Sequence, residues 1–291
     1  MRRSIFTAVA LLLSTAACAE WDAEGFRAQK VSLIAENVTV KEAYHHLLGD
    51  KGLKVSPRSY GTAVPDKYLQ ARIDVMISKM PMEHALRTIA QLGGGYCEPD
   101  IDAADGKVFL LLSKQGAAVE QARWRARETQ EFWHRKRLAD DIEESTTATM
   151  HLLDIESLTP RKKQDDLPAG AGFEISPYGR EARILQSKEL NGEENARLIA
   201  ALAQLLRTEE RKFGALCHFP IYGVEIKRGD EVLFRSSFCW ACTNYFVEYP
   251  VGQAGWLGLP DAGLRKLFEE LMPISDEIRE QHESFVESLS Q

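Results

Sequence analysis

The first third of the chain carries one pattern of apolar and polar positions twice, at a constant offset of 42 residues. In each copy a short strand-like run comes first, and apolar residues then recur at the three- and four-residue spacing of a helix. The first copy has residues 31–33 followed by Val40, Ala43, Tyr44, Leu47 and Leu48, and the second has residues 73–75 followed by Met82, Ala85, Leu86, Ile89 and Ala90. The pattern predicts a duplicated strand–helix unit.

Start and stop signals flank both predicted helices. Thr39 with Glu42 fits a capping box, and Pro81 suits the first turn of the second helix, where a missing N–H costs little. Gly52 and the run 93–95 then end the helices. Short strands are expected at 54–55, 96–97 and 108–112, with a turn at 102–106. The prediction is a small duplicated βαβ-type domain over 30–114, with two helices on a small sheet.

The second half predicts a different arrangement. A charged helix spanning 117–145 is expected to connect the halves, and its aromatic residues Trp124, Phe132 and Trp133 either pack on a domain of the same chain or bind a partner. An α+β domain with an antiparallel β-meander is then expected over 150–272, and a C-terminal helix over 275–291. Its predicted parts are a loop at 159–172, strands at 183–190, 221–227, 231–238 and 244–249, a hairpin turn at 228–230, a helix capped by Asn191, and a helix from 260. The fold class is therefore α+β.

The first nineteen residues have the three parts of an export signal. Arg2 and Arg3 form a positive start, 5–13 an apolar run too short to span a membrane, and 17–19 a small-residue cleavage site. Residues 15–18 also resemble a lipobox, in which Cys18 would carry a lipid anchor. We therefore expect a periplasmic or extracellular protein, either soluble after cleavage at Ala19 or tethered through Cys18.

Composition narrows the class of partner. The apolar fraction of 44% is typical of a globular protein with a core, and the formal charge of −7 becomes −9 when Arg2 and Arg3 are removed with the leader. Binding to nucleic-acid phosphates requires clustered lysine and arginine, so an acidic chain argues against a nucleic-acid partner.

Three cysteines are expected to meet at one end of the meander. The hairpin turn at 228–230 brings Cys217 opposite Cys239, and Cys242 completes a Cys-x-x-Cys pair. An oxidising compartment favours a disulfide from Cys217 to Cys239 or Cys242. The alternatives are a zinc site formed by the three cysteines with His218 or Cys97 as fourth ligand, a redox-active Cys239/Cys242 pair, and buried thiols.

The segments VSLIAENVTVKEAYHHLLGDKGLKV, IDVMISKMPMEHALRTIAQLGGGY and KVFLLLS together resemble the short N-terminal domain shared by secretins and TonB-dependent receptors. The resemblance covers residues 30–114. It implies an exported interaction module that contacts other proteins of the cell envelope. The long series of strands that forms a pore or barrel in those families does not follow here.

The segment CHFPIYGVEIKRGDEVLFRSSFCWAC is similar to one in an uncharacterised family of exported bacterial proteins. The family pattern is matched at five positions: Cys217, Pro220, Gly223, Cys239 and Cys242. This chain has Tyr222 where that pattern has histidine, which removes a zinc ligand unless His218 replaces it. The resemblance implies no activity.

No catalytic set is evident in the sequence, and no Gly-x-Ser-x-Gly motif occurs. Two function classes therefore remain. The first is a non-enzymatic interaction or adaptor protein with a partner in the cell envelope. The second is a metal-binding or thiol-redox protein that uses Cys217, Cys239 and Cys242.

Overall fold

The computed structural model describes residues 23–49, 53–54, 69–94, 96–102, 107–113, 119–154, 172–175, 180–208, 218–251, 255–259 and 262–288. The predicted leader with Cys18, most of the predicted loop 159–172, and Cys217 lie outside these residues. The chain divides into two compact units, Met1–His134 and Arg135–Gln291. Among the described helices, none combines the length and apolar character needed to cross a bilayer.

The first unit contains two small sheets and the two predicted helices. Its elements are α1 (Ala23–Ala28), β1 (Lys30–Thr39), α2 (Val40–Leu48), β2 (Leu53–Lys54), β3 (Arg72–Pro81), α3 (Met82–Leu92), β4 (Tyr96–Asp102), β5 (Lys107–Ser113) and the first part of α4 (Val119–Glu143). β1 pairs antiparallel with β3, while β5 pairs parallel with β2 and antiparallel with β4. Thr39 and Glu42 form the predicted capping box of α2.

The two strand–helix copies are related by a twofold arrangement. β1 and β3 begin and end 42 residues apart, and Ile34 faces Met76, its own equivalent, at the centre of their pairing. Hydrogen bonds follow the same rule: the Asn37 N–H donates to Asp74 Oδ1 at 2.8 Å, and the Lys79 N–H donates to Ser32 Oγ at 3.0 Å. The predicted duplication therefore extends to individual contacts.

The helices repeat this relation in the buried core. The Tyr44 hydroxyl donates to the carbonyl oxygen of Leu86, its equivalent in the second copy, at 3.0 Å. The Val40 N–H donates to Ala71 O at 3.0 Å, and the Met82 N–H donates to Gln29 O at 2.9 Å. Apolar side chains from both strands and both helices form one core cluster between these contacts.

Helix α4 breaks the symmetry of the first unit. The Met76 N–H donates to Gln130 Oε1 at 2.5 Å, and His134 Nδ1 lies 3.4 Å from Ser78 Oγ, so α4 covers the face of β3 turned away from the core. Met76 is 2% exposed, whereas its equivalent Ile34 is 47% exposed. The same face is therefore covered on β3 and open on β1.

Helix α4 is more buried than its charge pattern indicates. Trp133 packs against the core of the first unit, as one of the two predicted alternatives requires, whereas Trp124 is half exposed. Ala126, Leu138, Ala139 and Ile142 are also buried. The spacing of these small and aliphatic residues, rather than the charges between them, decides where the helix packs.

The second unit is built on a seven-stranded antiparallel sheet. Its strands are β6 (Thr147–Leu153), β7 (Gly172–Ile175), β8 (Arg180–Glu189), β9 (Tyr222–Arg228), β10 (Glu231–Cys239), β11 (Asn244–Val247) and β12 (Gly255–Gly258), in the order β12-β11-β10-β9-β6-β8-β7. Three helices accompany them: α5 (Gly192–Arg207), α6 (Ala262–Leu271) and α7 (Asp276–Ser288). The α+β class and the meander β9–β11 are confirmed.

Three strands of this sheet were not predicted. β6, which lies between β9 and β8, alternates polar and apolar residues between Thr147 and Leu152, a recognisable strand signal. β7 and β12 each have four residues and begin with glycine, so their local signal is weak.

The twofold relation gives a matched test of backbone strain. Asn37 and Lys79 both have positive φ, 53° and 44°, and asparagine adopts this conformation at lower cost than lysine. We expect Lys79→Gly to stabilise the protein by about 0.5–1 kcal/mol relative to Asn37→Gly, because only the lysine is strained. Urea unfolding measures the difference. Lys41→Gly, in the exposed face of α2, should cost about 1 kcal/mol, and an equal loss at Lys79 would contradict the expectation.

Candidate functional site

The sequence-predicted cysteines lie where β10 turns into β11. Cys239 ends β10, Cys242 lies in the turn, and both are buried. They are not joined to each other. Cys239 Sγ accepts hydrogen bonds from the N–H of Phe219, at 3.3 Å, and from the N–H of Cys242, at 3.2 Å. Two backbone dipoles therefore point their positive ends at one sulfur.

The turn between the two strands is compact because Thr243 takes a left-handed conformation. Its φ is 50°, and its N–H donates to Trp240 O at 3.3 Å. Its carbonyl accepts the Leu259 N–H at 2.8 Å. This folds the Cys-x-x-Cys segment back so that the chain can pair Cys239 with Asn244.

His218 is held in a buried hydrogen-bonded network beside Cys239. Its Nδ1 lies 2.7 Å from Asn244 Oδ1, and its Nε2 lies 2.7 Å from Ser237 Oγ. Burial lowers the pKa of His218 to about 4, although the bond to Asn244 opposes this shift. The imidazole is therefore neutral at physiological pH, donates from Nδ1 to the Asn244 oxygen, and accepts from the Ser237 hydroxyl.

The order hydroxyl, imidazole, amide is that of a nucleophile, its base and an orienting group. However, His218, Ser237 and Asn244 are 4%, 2% and 0% exposed. A substrate cannot reach the Ser237 hydroxyl in this conformation. The network instead connects β10, β11 and the segment before β9.

The geometry also bears on the predicted zinc ligands. Both nitrogens of His218 face hydrogen-bond partners, so the ring has to turn before it can bind a metal. In the described part of the chain, no three His, Cys, Asp or Glu residues are placed to hold a metal ion. Cys217 lies outside that part, and Cys97 lies in β4 with its side chain not described. The zinc and disulfide hypotheses therefore stay predictions.

Next to the cysteines lies a cluster of aromatic side chains. Phe268 of α6 packs against Tyr222, Phe238 and Trp240, with ring centroids 4.9–5.4 Å apart. Tyr245 stacks on Phe238 at 5.7 Å. The Tyr222 hydroxyl donates to Met272 O at 2.8 Å, and burial raises its pKa. These contacts fix α6 against the end of the sheet.

A cleft of about 260 Å³ opens beside this cluster. Ile221, Tyr222, Trp240 and Ile274 give it apolar walls. Its charged residues have both signs, and they are Arg265, Arg279, Glu269, Glu283 and Glu287. Arg265 pairs with Glu269 at 2.9 Å. His282 Nε2 donates to Phe219 O at 3.3 Å, and its pKa is lowered mainly by burial.

Two hydrogen-bond donors on residues that line the cleft have no acceptor among the described residues. Trp240 Nε1 and Arg279 Nε are buried, and the described residues offer neither a hydrogen-bond acceptor. Arg279 also forms no ion pair within the described ranges. Both donors belong to residues that line the same cleft.

Sequence reasoning did not find this cleft. Its walls come from the start of β9, the turn after β10, and helices α6 and α7, which are far apart in the chain. One available signal was Trp240, an aromatic residue between the two cysteines, where the resembling family has phenylalanine.

Comparisons of the chain with protein-family models, with curated proteins and with solved structures gave no match.

The His218 network makes stability depend on pH. The pKa of His218 is lowered on folding from an unfolded value of about 6.5, so the unfolded state binds more protons between pH 6.5 and 4. When the pH falls from 7 to 5, we expect protonation of His218 to lower the free energy of unfolding by roughly 2 kcal/mol. Asn244→Asp should reduce the loss, because a carboxylate favours the charged imidazole.

Urea unfolding at pH 7 and pH 5 measures the change in the free energy of unfolding. His151 and His282 also have pKa values lowered by burial, so the Asn244→Asp variant is needed to identify the contribution of His218. NMR titration of the His218 ring provides a direct check. A ring that titrates near pH 6.5 in the folded protein would show that the network does not hold it neutral.

Proposed function

We propose that this chain is an exported, non-enzymatic interaction protein that docks a partner in the cell envelope through its first unit. The sequence supports export through the leader at 1–19, which places the protein in the periplasm or outside the cell, with Cys18 as a lipidation candidate. The inaccessible Ser237 hydroxyl favours a non-enzymatic function over hydrolysis.

The sequence resemblance of residues 30–114 to the short N-terminal domain of secretins and TonB-dependent receptors supports an interaction function. In this unit a strand and helix, a short strand, a second strand and helix, and closing strands follow one another. Such domains serve as interaction modules in those families.

The proposal rests on the difference in exposure between the outer faces of the two equivalent strands. Gln130 and His134 of α4 contact β3 at its outer face, and the twofold relation gives β1 an equivalent face around Ile34. On β3 this face is covered by a helix. The equivalent face of β1 therefore binds a helix of a partner protein, which docks on Ile34 and directs a polar side chain at the strand.

Site-specific photocrosslinking in the native envelope tests the docking surface. A photoreactive residue at Ile34 should give one discrete crosslinked protein, because the partner helix lies against this side chain. Leu185 in the second unit is the matched control, since it is 44% exposed against 47% for Ile34. Equal crosslinking at both positions, or none at Ile34, would contradict the proposal.

A second candidate function uses the cysteines. Two N–H groups directed at Cys239 Sγ stabilise negative charge on sulfur, which favours a metal-bound or reactive thiolate. Zinc held with Cys217 and Cys242, or a redox cycle between Cys239 and Cys242, would use that charge. A disulfide from Cys217 remains the proposal favoured by the compartment.

Intact-mass measurement of protein from the native envelope distinguishes these states. We expect a mass lower by about 2 Da before reduction, which indicates one disulfide, because an oxidising compartment favours the bridge. Bound zinc with no such mass difference would favour the metal site instead. The same spectrum tests export, since retention of residues 1–19 would contradict it, and an added lipid mass on Cys18 would identify a tether.

A further inference from the structure

We propose that the partner helix docked on β1 carries a hydrogen-bond acceptor directed at the Ile34 N–H and, four residues later, a lysine or arginine that pairs with Glu36. This inference rests on the proposed function, because it specifies the helix that the β1 surface binds. It is derived from the contacts that α4 makes at the equivalent positions of β3.

The acceptor follows from the direction of the backbone N–H groups. In an antiparallel pair, two opposite residues either exchange both backbone hydrogen bonds or direct both N–H groups outwards. The Met76 N–H donates to Gln130 Oε1 of α4 at 2.5 Å, so the pair that Met76 forms with Ile34 is of the second kind. The Ile34 N–H therefore points outwards from β1. A helix that covers it must supply an acceptor, because an unpaired buried N–H is costly.

The position of the basic residue follows from a β-bulge that occurs in both copies of the repeat. In each bulge two residues of one strand lie opposite one residue of the other, and the two pairs are 36–37 on β1 and 78–79 on β3. The first residue of each bulge, Glu36 or Ser78, therefore has the same place in its copy. His134 Nδ1 of α4 lies 3.4 Å from Ser78 Oγ, so a helix on β1 places a side chain at Glu36.

The spacing of the two contacts fits a helix that runs parallel to its strand. In α4 the two residues that contact β3 are four positions apart, which is about 6 Å along the helix axis. The two strand residues that they contact, Met76 and Ser78, are about 7 Å apart along β3. A helix in the same register on β1 therefore brings one side chain to Ile34 and the side chain four residues later to Glu36.

The charges at the β1 bulge favour a basic side chain at the second position. Ser78 is neutral and buried, whereas Glu36 is an exposed carboxylate. Exposed Asp74 accepts the Asn37 N–H at 2.8 Å, and Arg72 Nη1 donates to the Asn37 carbonyl oxygen at 2.5 Å. Two carboxylates and one guanidinium therefore lie at the bulge, and a lysine or arginine of the partner balances their charge.

The bulges also disfavour a strand as the occupant. A strand added to a sheet edge requires a regular row of outward N–H and C=O groups, and bulges interrupt such a row. The register of β1 shifts at Ser32 and again at 36–37, so only residues 33–35 lie between the two shifts. A helix, which contacts the strand through side chains, does not need a regular edge.

Binding of synthetic peptides to the whole mature protein tests the assignment. The probe is the α4 sequence, residues 119–143, with His134→Lys, and the comparison is the same peptide with His134→Glu. We expect the lysine peptide to bind at least ~5-fold more tightly, because the charge is attractive in one peptide and repulsive in the other. Equal affinity, or no binding of either peptide at millimolar concentration, would overturn the proposal.

Variants locate the peptide on β1. Glu36→Lys should reverse the preference, so that the His134→Glu peptide binds more tightly, whereas Glu189→Lys changes an exposed carboxylate of the second unit and should leave the preference unchanged. Adding Gln130→Met to the lysine peptide removes the acceptor and should weaken binding ~3–10-fold. A preference for lysine that persists in Glu36→Lys, or unchanged affinity of the Gln130→Met peptide, would overturn the proposal.

Photocrosslinking at Ile34 separates this inference from the docking itself. Absence of a crosslinked protein in the native envelope would contradict docking on β1. We expect Glu36→Lys to reduce the yield of the crosslinked protein. An undiminished yield in this variant would leave docking intact and would overturn the basic contact.

Discussion

Burying a polar group without a hydrogen-bond partner costs roughly 1–3 kcal/mol, and the arrangement of both units follows from avoiding that cost. In the first unit the Tyr44 hydroxyl reaches the Leu86 carbonyl, and Gln130 of α4 accepts the Met76 N–H. In the second unit His218 is satisfied on both sides by Asn244 and Ser237. Each of these bonds joins segments that are distant in the chain, so pairing polar groups also fixes the packing.

The twofold relation of the first unit also makes one surface stand out. Ile34 on the outer face of β1 is 47% exposed, whereas its equivalent Met76 on β3 is 2% exposed. Gln130 and His134 of α4 contact β3 at this face, so a helix is the kind of element that fits it.

The elements that could be predicted from the sequence are those with local signals. The 42-residue repeat, the capping boxes at Thr39 and Asn191, and the hairpin at Gly229 all appear where expected, because spacing and capping chemistry act within a few residues. β6 had an alternating pattern that was not recognised. β12 had almost none, since a strand as short as Gly255–Gly258 is defined by its pairing with β11.

The candidate site was only partly predictable for the same reason. The turn at 228–230 was enough to bring Cys239 towards the segment after Cys217, as the hydrogen bond from the Phe219 N–H to Cys239 Sγ shows. No local sequence signal indicated that His218 would form hydrogen bonds with Asn244 and Ser237 instead of facing the cysteine sulfurs. The cleft depends on four separate segments, and an unpaired donor such as Trp240 Nε1 is a property of the folded structure alone.

The central claim is that hydrogen bonds between buried polar groups of distant segments fix the packing of each unit. The Tyr44 hydroxyl is a direct case, because Tyr44 is fully buried and donates to the carbonyl oxygen of Leu86 in the second copy of the repeat. The account predicts that Tyr44→Phe, which removes only the hydroxyl, lowers the free energy of unfolding in urea by about 1 kcal/mol. An unchanged free energy of unfolding would contradict it.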